Sequence, residues 1–297
     1  MRKIIFSRKG IDSKYGGGNS PILPDGELLS IPIPIGRREN ESGISYKDNE
    51  AYNGISFHEL IAQLGIKPQN DKCHLDPDLR ASILQRKEGW RPIFGQSGRA
   101  ATHLLSTEKV KEGDIFLFYG NFREVFFNEE SRTFQYTQQH PRHIIFGYLI
   151  IDEIWDLGNN PFPEYKKSIK EIPEWAKSHP HLSYRHEGNN CLFVAREKYR
   201  KGIPGAGGFF YNDKLALTKL GYNKRIWELE DIFASNNMRI SYHENPDRYL
   251  PYNRNGKVLL QAVDQGQEFV VTPTTTKAEA DLFKWVDNLI CNSKRFE

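Results

Sequence analysis

The stretch over residues 73–79 holds three side chains that could bind a metal ion. His74, Asp76 and Asp78 occupy alternate positions there, and the residue before a proline such as Pro77 prefers an extended conformation. In an extended chain, alternate side chains emerge on one face. We therefore predict that His74, Asp76 and Asp78 act together as catalytic groups and as ligands of a divalent metal ion.

Two further imidazoles, His179 and His181, show the same alternate spacing and could add ligands to such a site. The alternative interpretation is that Asp76 and Asp78 make Asx turns and helix caps around Pro77, with the histidines as surface or hydrogen-bonding groups. The two segments lie about a hundred residues apart, and nothing in the sequence joins them. Both interpretations stay open at this point.

A second group of candidate residues follows the first predicted strand, in the segment from Ser7 to Asp12. Loops at strand ends often present functional groups. Arg8 and Lys9 could hold a phosphate, with Ser7 and Asp12 as hydrogen-bonding and catalytic partners. The alternative is a charged loop that shields the strand end. Residues 10–53 are dense in Gly, Pro, Asn and Asp, and a long loop of this kind favours a function.

Several standard catalytic classes receive no support from the sequence. The glycine cluster over residues 202–208 is not followed by the Lys-Ser/Thr pair of a phosphate-binding loop. There is no GxSxG or HExxH motif. A zinc ribbon is excluded because no CxxC pair occurs among the three cysteines, which are Cys73, Cys191 and Cys291.

The composition restricts the class of protein and partner. The 41 Lys and Arg residues against 38 Asp and Glu leave a net charge of +3, so any polyanion must meet a local patch rather than a uniformly basic surface. No apolar run approaches the roughly 18 residues of a membrane span, and the polar residues after position 6 do not suit a signal peptide. We expect a cytoplasmic protein without a membrane partner.

The elements that must position these residues are predicted from hydrophobic periodicity, turns and caps. Ser56 caps a helix over residues 57–64 that Gly65 ends, and the two apolar strands over residues 115–119 and 143–151 favour a barrel. We expect one elaborated α+β domain over residues 1–297, with a loop-rich N-terminal segment and flanking helices. The remaining predicted strands cover residues 3–7, 190–195, 257–263 and 267–271. Three further helices are predicted: one starts at residue 99, and the other two span 163–177 and 277–291.

Residues 89–155 resemble the PUA-like superfamily, particularly the EVE and YTH-type readers of modified bases. The resemblance rests on Trp90-Arg-Pro, on Gln-Ser-Gly-Arg-Ala-Ala at 96–101, on Gly-Asp at 113–114, on Phe-Tyr at 118–119 and on Phe-Gly at 146–147. The Arg–Asn pair that usually precedes the helix is replaced here. The resemblance implies a PUA-like β-barrel core that binds a modified base.

A pocket for a base that has left the stack needs an aromatic floor, polar groups for the base edge and cations for the flanking phosphates. Core packing is the alternative role of the aromatic residues. The residues that we predict to bind nucleic acid are Trp90, Phe94 and Tyr119 as the floor, Gln96, Ser97 and Asn121 at the edge, and Arg8, Lys9, Arg91 and Arg99 at the phosphates.

Over nearly its full length the chain resembles the nucleotide modification associated domain 3 family, in segments at 6–12, 20–26, 74–78, 113–118 and 266–270. The resemblance implies an association with hypermodified bases in phage and bacterial DNA. Our first hypothesis is a protein that recognises a modified or flipped base in DNA, in base modification or phage–host conflict. The second is a metal-assisted hydrolase or transferase acting on a nucleotide or modified base, and a scaffold in a defence or modification complex is a third.

Overall fold

The computed structural model describes residues 1–35, 44–158, 168–183, 188–254, 256–263 and 268–296. Within these ranges the chain is a mixed α/β protein with several sheets. The α-helices are α1 (Phe57–Gln63), α2 (Gly98–Thr102), α3 (Pro180–Ser183) and α4 (Thr276–Asn292). The strands are β1 (Ile4–Arg8), β2 (Ser20–Ile22), β3 (Ile33–Pro34), β4 (Ile44–Ser45), β5 (Glu50–Tyr52), β6 (Ile55–Ser56), β7 (Lys72–His74), β8 (Ile93–Ser97), β9 (Ile115–Asn128), β10 (Thr133–Tyr136), β11 (Arg142–Asp156), β12 (Asn190–Ala195), β13 (Lys198–Arg200), β14 (Ile203–Pro204), β15 (Ala206–Phe209), β16 (Ile226–Glu230), β17 (Met238–Ile240), β18 (Tyr249–Arg254), β19 (Lys257–Gln261), β20 (Glu268–Pro273) and β21 (Arg295–Phe296).

The core of the molecule is an 11-stranded sheet in the order β17-β20-β1-β9-β11-β12-β8, with β2, β10, β15 and β21 on side branches. Strand β1 runs parallel to β9 and antiparallel to β20, and β9, β11, β12 and β8 are successively antiparallel. The central strands are almost wholly buried, which explains why their sequences are continuous apolar runs.

The sheet curls, but it does not close. The ring of Phe94 on β8 lies 4.9 Å from that of Phe116 and 5.1 Å from that of Phe118 on β9, so β8 folds over the face of the sheet. Strand β8 contacts β20 through side chains, since the amide of Gln96 donates a hydrogen bond to the carboxylate of Glu268. Among the described residues no sheet closes into a barrel, and the predicted PUA-like barrel core is therefore not seen.

The N-terminal segment forms a smaller apolar core of its own. Helix α1 contributes Phe57, Leu60 and Ile61 to it. Ser56 and Glu59 form a capping box at the start of α1, and Gly65 follows its end at a φ of +68°. This predicted helix is confirmed, and the segment around it carries short strands instead of one long loop.

Four of the elements predicted for the C-terminal half are confirmed. Helix α4, capped by Thr275, and strands β12 and β19 lie where expected. Strand β20 covers the strand predicted over 267–271 except for residue 267, which lies outside the described ranges. The predicted helix over 163–177 is wrong where it can be followed, since residues 168–178 form a 3₁₀ turn at Ile169–Glu171 and further turns. None of the helices described is long and apolar enough to cross a membrane.

Candidate functional site

A cleft of about 200 Å³ opens where β8 approaches the end of β1. Two groups of residues predicted separately from the sequence meet in it, the segment after β1 and the histidine–aspartate segment after β7. Its principal lining residues are Arg8, Lys9, Asp12, Tyr15, His74, Asp76, Gln96, Ser97 and His181.

His74, Asp76 and His181 form a cluster with the geometry of a metal site. Their ligand atoms all lie within 4.8 Å of one another. Oδ2 of Asp76 is 3.7 Å from Nε2 of His74 and 3.7 Å from Nε2 of His181. The two imidazoles and one carboxylate oxygen thus converge on one point at the inner wall of the cleft.

The second oxygen of Asp76 is held by the protein. Oδ1 accepts a hydrogen bond of 2.8 Å from the backbone N–H of Gly95 and lies 3.4 Å from Nε2 of His179. Nδ1 of His179 accepts from the backbone N–H of His181, which leaves the ring proton on Nε2, facing Asp76. His179 is therefore an orienting group, and Oδ2 is the oxygen that can bind an ion.

The protonation states of the cluster suit a cation. Burial alone would raise the pKa of Asp76, but the imidazoles of His179, His74 and His181 beside it hold it well below its usual value. Burial lowers the pKa of His181 well below its usual value. At neutral pH the cluster thus contains an ionised carboxylate and a neutral His181, which are the forms that bind metals.

His181 presents its Nε2 to the cluster because of Asn190. Nδ2 of Asn190 donates to the carbonyl oxygen of His181 at 2.8 Å, so its Oδ1 is the atom that faces Nδ1 of His181, also at 2.8 Å. A proton on Nδ1 satisfies this contact and places the lone pair on Nε2, beside Asp76. This arrangement is the outer-shell support that metal-binding histidines generally have.

Asp78, which is predicted from the sequence as a ligand and catalytic group, does not belong to the cluster. Its carboxylate forms a two-point ion pair with Arg86, with one contact at 2.7 Å. The guanidinium of Arg86 in turn lies 4.1 Å from the ring of Trp90. The common face expected from the alternate spacing is not found, because Asp78 forms a backbone bridge with Ile93 and its carboxylate faces Arg86.

Arg8 and Lys9, which are predicted to bind phosphate, both line the cleft. Lys9 is ion-paired with Glu268 at 3.2 Å. Asp12 accepts from the backbone N–H groups of Lys14 and Tyr15 at 2.8 Å each, and its other oxygen lies 3.8 Å from Arg8. Asp12 therefore shapes the loop and orients Arg8.

Ser7 cannot be a nucleophile in this conformation. It is fully buried, and its hydroxyl lies 3.2 Å from Glu268. The buried carboxylate of Glu268 thus accepts hydrogen bonds from Ser7, Lys9 and Gln96. The network joins β1, β8 and β20 beneath the cleft, which gives Ser7 a structural role.

None of the three residues predicted as an aromatic floor lines the cleft, and two of them, Phe94 and Tyr119, are core residues. Phe94 and Tyr119 are buried, and Tyr119 packs edge-on against Trp227 at 5.1 Å. Trp90 is half-buried against Arg86, outside the residues that line the cleft. Hydrophobic patterning could not separate a stacking surface from a core, since both use the same residue types.

Of the residues predicted to contact the base edge and the phosphates, some line the cleft and others lie elsewhere. Gln96 and Ser97 line the cleft. Asn121 is buried and donates to Asn19, and Arg91 is held by Asp152 and Glu153, the latter at 2.8 Å. Arg99 is exposed on α2 but does not line the cleft.

Two residues of the cleft carry little signal of their position in the sequence. His181 belongs to the second imidazole pair, and its contact with His74 depends on strand pairing that the sequence does not reveal. Tyr15 is 44% exposed at the cleft, and a single tyrosine in a glycine-rich loop carries no signal of function.

Comparison with known proteins gives one family. A family model described as nucleotide modification associated domain 3 matches residues 3–272. The searches of curated proteins and of solved structures gave no match. The matched residues include both segments that line the cleft, the one that follows β1 and the one that follows β7.

Proposed function

Since the chain belongs to the nucleotide modification associated domain 3 family, with a role linked to nucleic acid base modification, we propose that it is a metal-dependent enzyme acting on a nucleotide unit. His74, Asp76 and His181 are the ligands, and Arg8 and Lys9 bind phosphate. The observation that carries the proposal is the convergence of the three ligand atoms in the cleft that also holds these two cations.

The ligand types indicate which metal ions fit. Two imidazoles and one carboxylate suit Zn²⁺, Fe²⁺ or Mn²⁺ better than Mg²⁺, which prefers oxygen ligands. A Zn²⁺ ion with bonds of about 2.1 Å would bring tetrahedral ligands to about 3.4 Å from one another, a small change from the 3.7 Å between Oδ2 and each imidazole. Three protein ligands leave a coordination position for water or substrate.

The chemistry available at such an ion is attack by bound water. An ion held by His74, Asp76 and His181 would lower the pKa of a bound water and would so supply a nucleophile for hydrolysis at an electrophilic phosphorus or base carbon. The bond to the leaving group would break as the new bond to oxygen forms, and the leaving group would take up a proton from water. Arg8 and Lys9 stabilise the negative charge of the nucleotide phosphate during this step.

The size of the cleft and the side chains around it favour one nucleotide unit. Its volume of about 200 Å³ lies below the roughly 300–1,000 Å³ of sites for drug-sized ligands. Tyr15 offers an exposed ring for stacking, and Gln96 and Ser97 offer hydrogen-bonding groups for a base edge. We expect the unit to be a modified or flipped base of DNA, in base modification or phage–host conflict within the cytoplasm.

Recognition without chemistry is the second candidate. It is favoured by the same three residues, Tyr15, Gln96 and Ser97, which could bind a base without any metal ion. The two candidates differ in one property that is simple to measure. An enzyme of the proposed type binds a transition metal at the cluster, whereas a reader of bases has no need of one.

The test is metal binding by isothermal titration calorimetry. The chelator-treated protein is titrated with Zn²⁺, Mn²⁺ and Mg²⁺, and we expect one equivalent of Zn²⁺ or Mn²⁺ and weaker binding of Mg²⁺. Asp76→Asn keeps the shape of the side chain and removes its charge. We expect a loss of affinity larger than the roughly 10–100-fold that follows loss of an outer-shell partner.

His58→Ala is the matched control, because His58 is exposed and contacts Asp71 at 3.2 Å, apart from the cleft residues. It should bind the metal as the parent protein does. A parent protein that binds none of the three ions, or an Asp76→Asn variant that binds as tightly as the parent, would remove the metal-dependent proposal and leave recognition.

A further inference from the structure

Gln96 is a buried polar side chain in the wall of the cleft that also holds the cluster of His74, Asp76 and His181. It is only 7% exposed, yet it lines the cleft. Its neighbour in the chain, Gly95, donates its backbone N–H to Asp76 at 2.8 Å. Gln96 therefore lies one residue away from the backbone group that positions the cluster.

The amide of Gln96 has one orientation, which Glu268 sets. Nε2 of Gln96 donates to Oε1 of Glu268, and the same carboxylate oxygen accepts from Ser7 and from Lys9 at 3.2 Å each. A carboxylate that is ion-paired with a lysine accepts hydrogen bonds and donates none. The reversed amide would bring two acceptor oxygens into contact, so Oε1 of Gln96 points away from Glu268.

Oε1 of Gln96 is an acceptor that the protein leaves available to the cleft. Within the part of the chain that the structure describes, no group donates to it, and it is not among the polar atoms enclosed without a partner. A ligand that displaces water from such a recessed acceptor must supply a donor in its place or lose affinity. The wall of the cleft at this point therefore favours an N–H or O–H group over a carbonyl oxygen.

We propose that Gln96 selects the base, and that the site takes a nucleotide with an amino group on C4 of a pyrimidine or C6 of a purine, as in cytosine and adenine. The amino group donates to Oε1 of Gln96. Uracil and thymine carry the carbonyl oxygen O4 where cytosine carries its amino group, so an acceptor would face an acceptor. This inference rests on the proposed function, because it names the substrate class of the same cleft.

The ring N–H of uracil or hypoxanthine is poorly placed to replace the amino group. It lies beside a carbonyl oxygen, and in uracil between two, so these acceptors approach the wall together with the donor. An amino group projects beyond the ring and reaches a recessed acceptor first. Because only 7% of its surface is exposed, Gln96 is recessed enough to select between the two kinds of donor.

The experiment is calorimetric titration of the chelator-treated protein with two pairs of nucleotides, dCMP with dUMP and dAMP with dIMP. The members of each pair differ in the amino group and the carbonyl oxygen that replaces it. Without metal, no metal-dependent reaction consumes the ligand. We expect the amino member of at least one pair to bind at least about tenfold more tightly than its partner. A preference in the first pair identifies cytosine, and a preference in the second identifies adenine.

Three variants test the role of the amide. Gln96→Met keeps the length of the side chain and removes the acceptor, so the two members of a pair should bind equally. Glu268→Gln tests the positioning role of Glu268, since a neutral amide also donates and no longer fixes the orientation of Gln96. It should reduce the preference, whereas a general disturbance of the cleft would weaken both nucleotides alike. Ser97→Ala is the control, because a hydroxyl rotates to donate or accept and its loss should leave the ratio of affinities unchanged.

Metal titration separates this inference from the proposed function. The Gln96→Met and Glu268→Gln proteins should bind Zn²⁺ or Mn²⁺ as the parent does, because neither residue is a ligand. The inference is wrong, even where the metal site is confirmed, if the parent binds dUMP and dIMP as tightly as dCMP and dAMP or binds none of the four. A preference that Gln96→Met leaves unchanged would also contradict it. Absence of metal binding by the parent, with the preference intact, would instead remove the proposed function and leave Gln96 as the selecting residue of a base reader.

Discussion

Gly95 controls how closely His181 and Asp76 approach each other. A Cβ atom at this position would lie 2.3 Å from Cδ2 of His181, and the backbone N–H of Gly95 holds Asp76. Contacts this short force the imidazole away from the cluster. We predict that Gly95→Ala lowers the affinity for Zn²⁺ or Mn²⁺ by about 10–100-fold, as measured by calorimetric titration of the folded variant.

Gly207→Ala provides the control for this prediction. The atom nearest to a Cβ at Gly207 would be 3.4 Å away, so this strand can accept the methyl group with little movement. A Gly95→Ala protein that binds metal like the parent would show that His181 does not need its present position to act as a ligand.

The individual site residues were predictable only in part. His74 and Asp76 were predicted as ligands from local spacing, and both lie in the cluster. Asp78 follows the same spacing but faces Arg86, a contact that the spacing alone does not reveal. The contribution of His181 depends on the packing of α3 against Gly95, a contact between segments that are distant in sequence.

His143 links β11 to the loop over residues 219–225 and gives a testable pH dependence. Nδ1 of this buried ring accepts a hydrogen bond of 3.0 Å from Nε1 of Trp227, and burial, with Arg8 and Lys224, lowers its pKa to about 3. The unfolded chain takes up a proton near pH 6.5, where the folded protein does not. The neutral ring therefore contributes to the free energy of unfolding above pH 6.5. This contribution is lost as the pH falls toward 3, by about 1.4 kcal/mol per pH unit.

We predict that His143→Gln weakens this dependence, since glutamine can still accept from Trp227 but does not titrate. Urea unfolding at pH 7 and pH 5 measures the loss of unfolding free energy. The loss should be about 2 kcal/mol smaller in the variant. Other histidines titrate in both proteins, so an equal loss in the two would show that His143 is not protected from protonation.

The secondary structure was easier to predict than the way its elements pair. The strands over residues 115–119 and 143–151 were recognised because buried strands are apolar runs. Their extension to β9 and β11, and the parallel pairing of β1 with β9, depend on contacts across the whole chain. The barrel prediction was wrong for the same reason, because closure depends on whether the edge strands meet.

The polar groups of the cleft lie where the edge strand β8 folds over β1 and β20. Side chains connect the three strands here, because Ser7, Lys9 and Gln96 all contact the carboxylate of Glu268. The cleft beside this network holds Arg8 and the cluster of His74, Asp76 and His181. Asp76 is held there by the backbone N–H of Gly95 on β8, so the position of β8 determines where the cluster forms.

The central claim is that His74, Asp76 and His181 bind one transition metal ion. Anomalous X-ray diffraction from crystals grown with Zn²⁺ or Mn²⁺ tests it most directly. We predict a single strong anomalous peak within about 2.3 Å of Nε2 of His74, Oδ2 of Asp76 and Nε2 of His181. A map in which these three side chains contact only one another or water, with no peak among them, would contradict it.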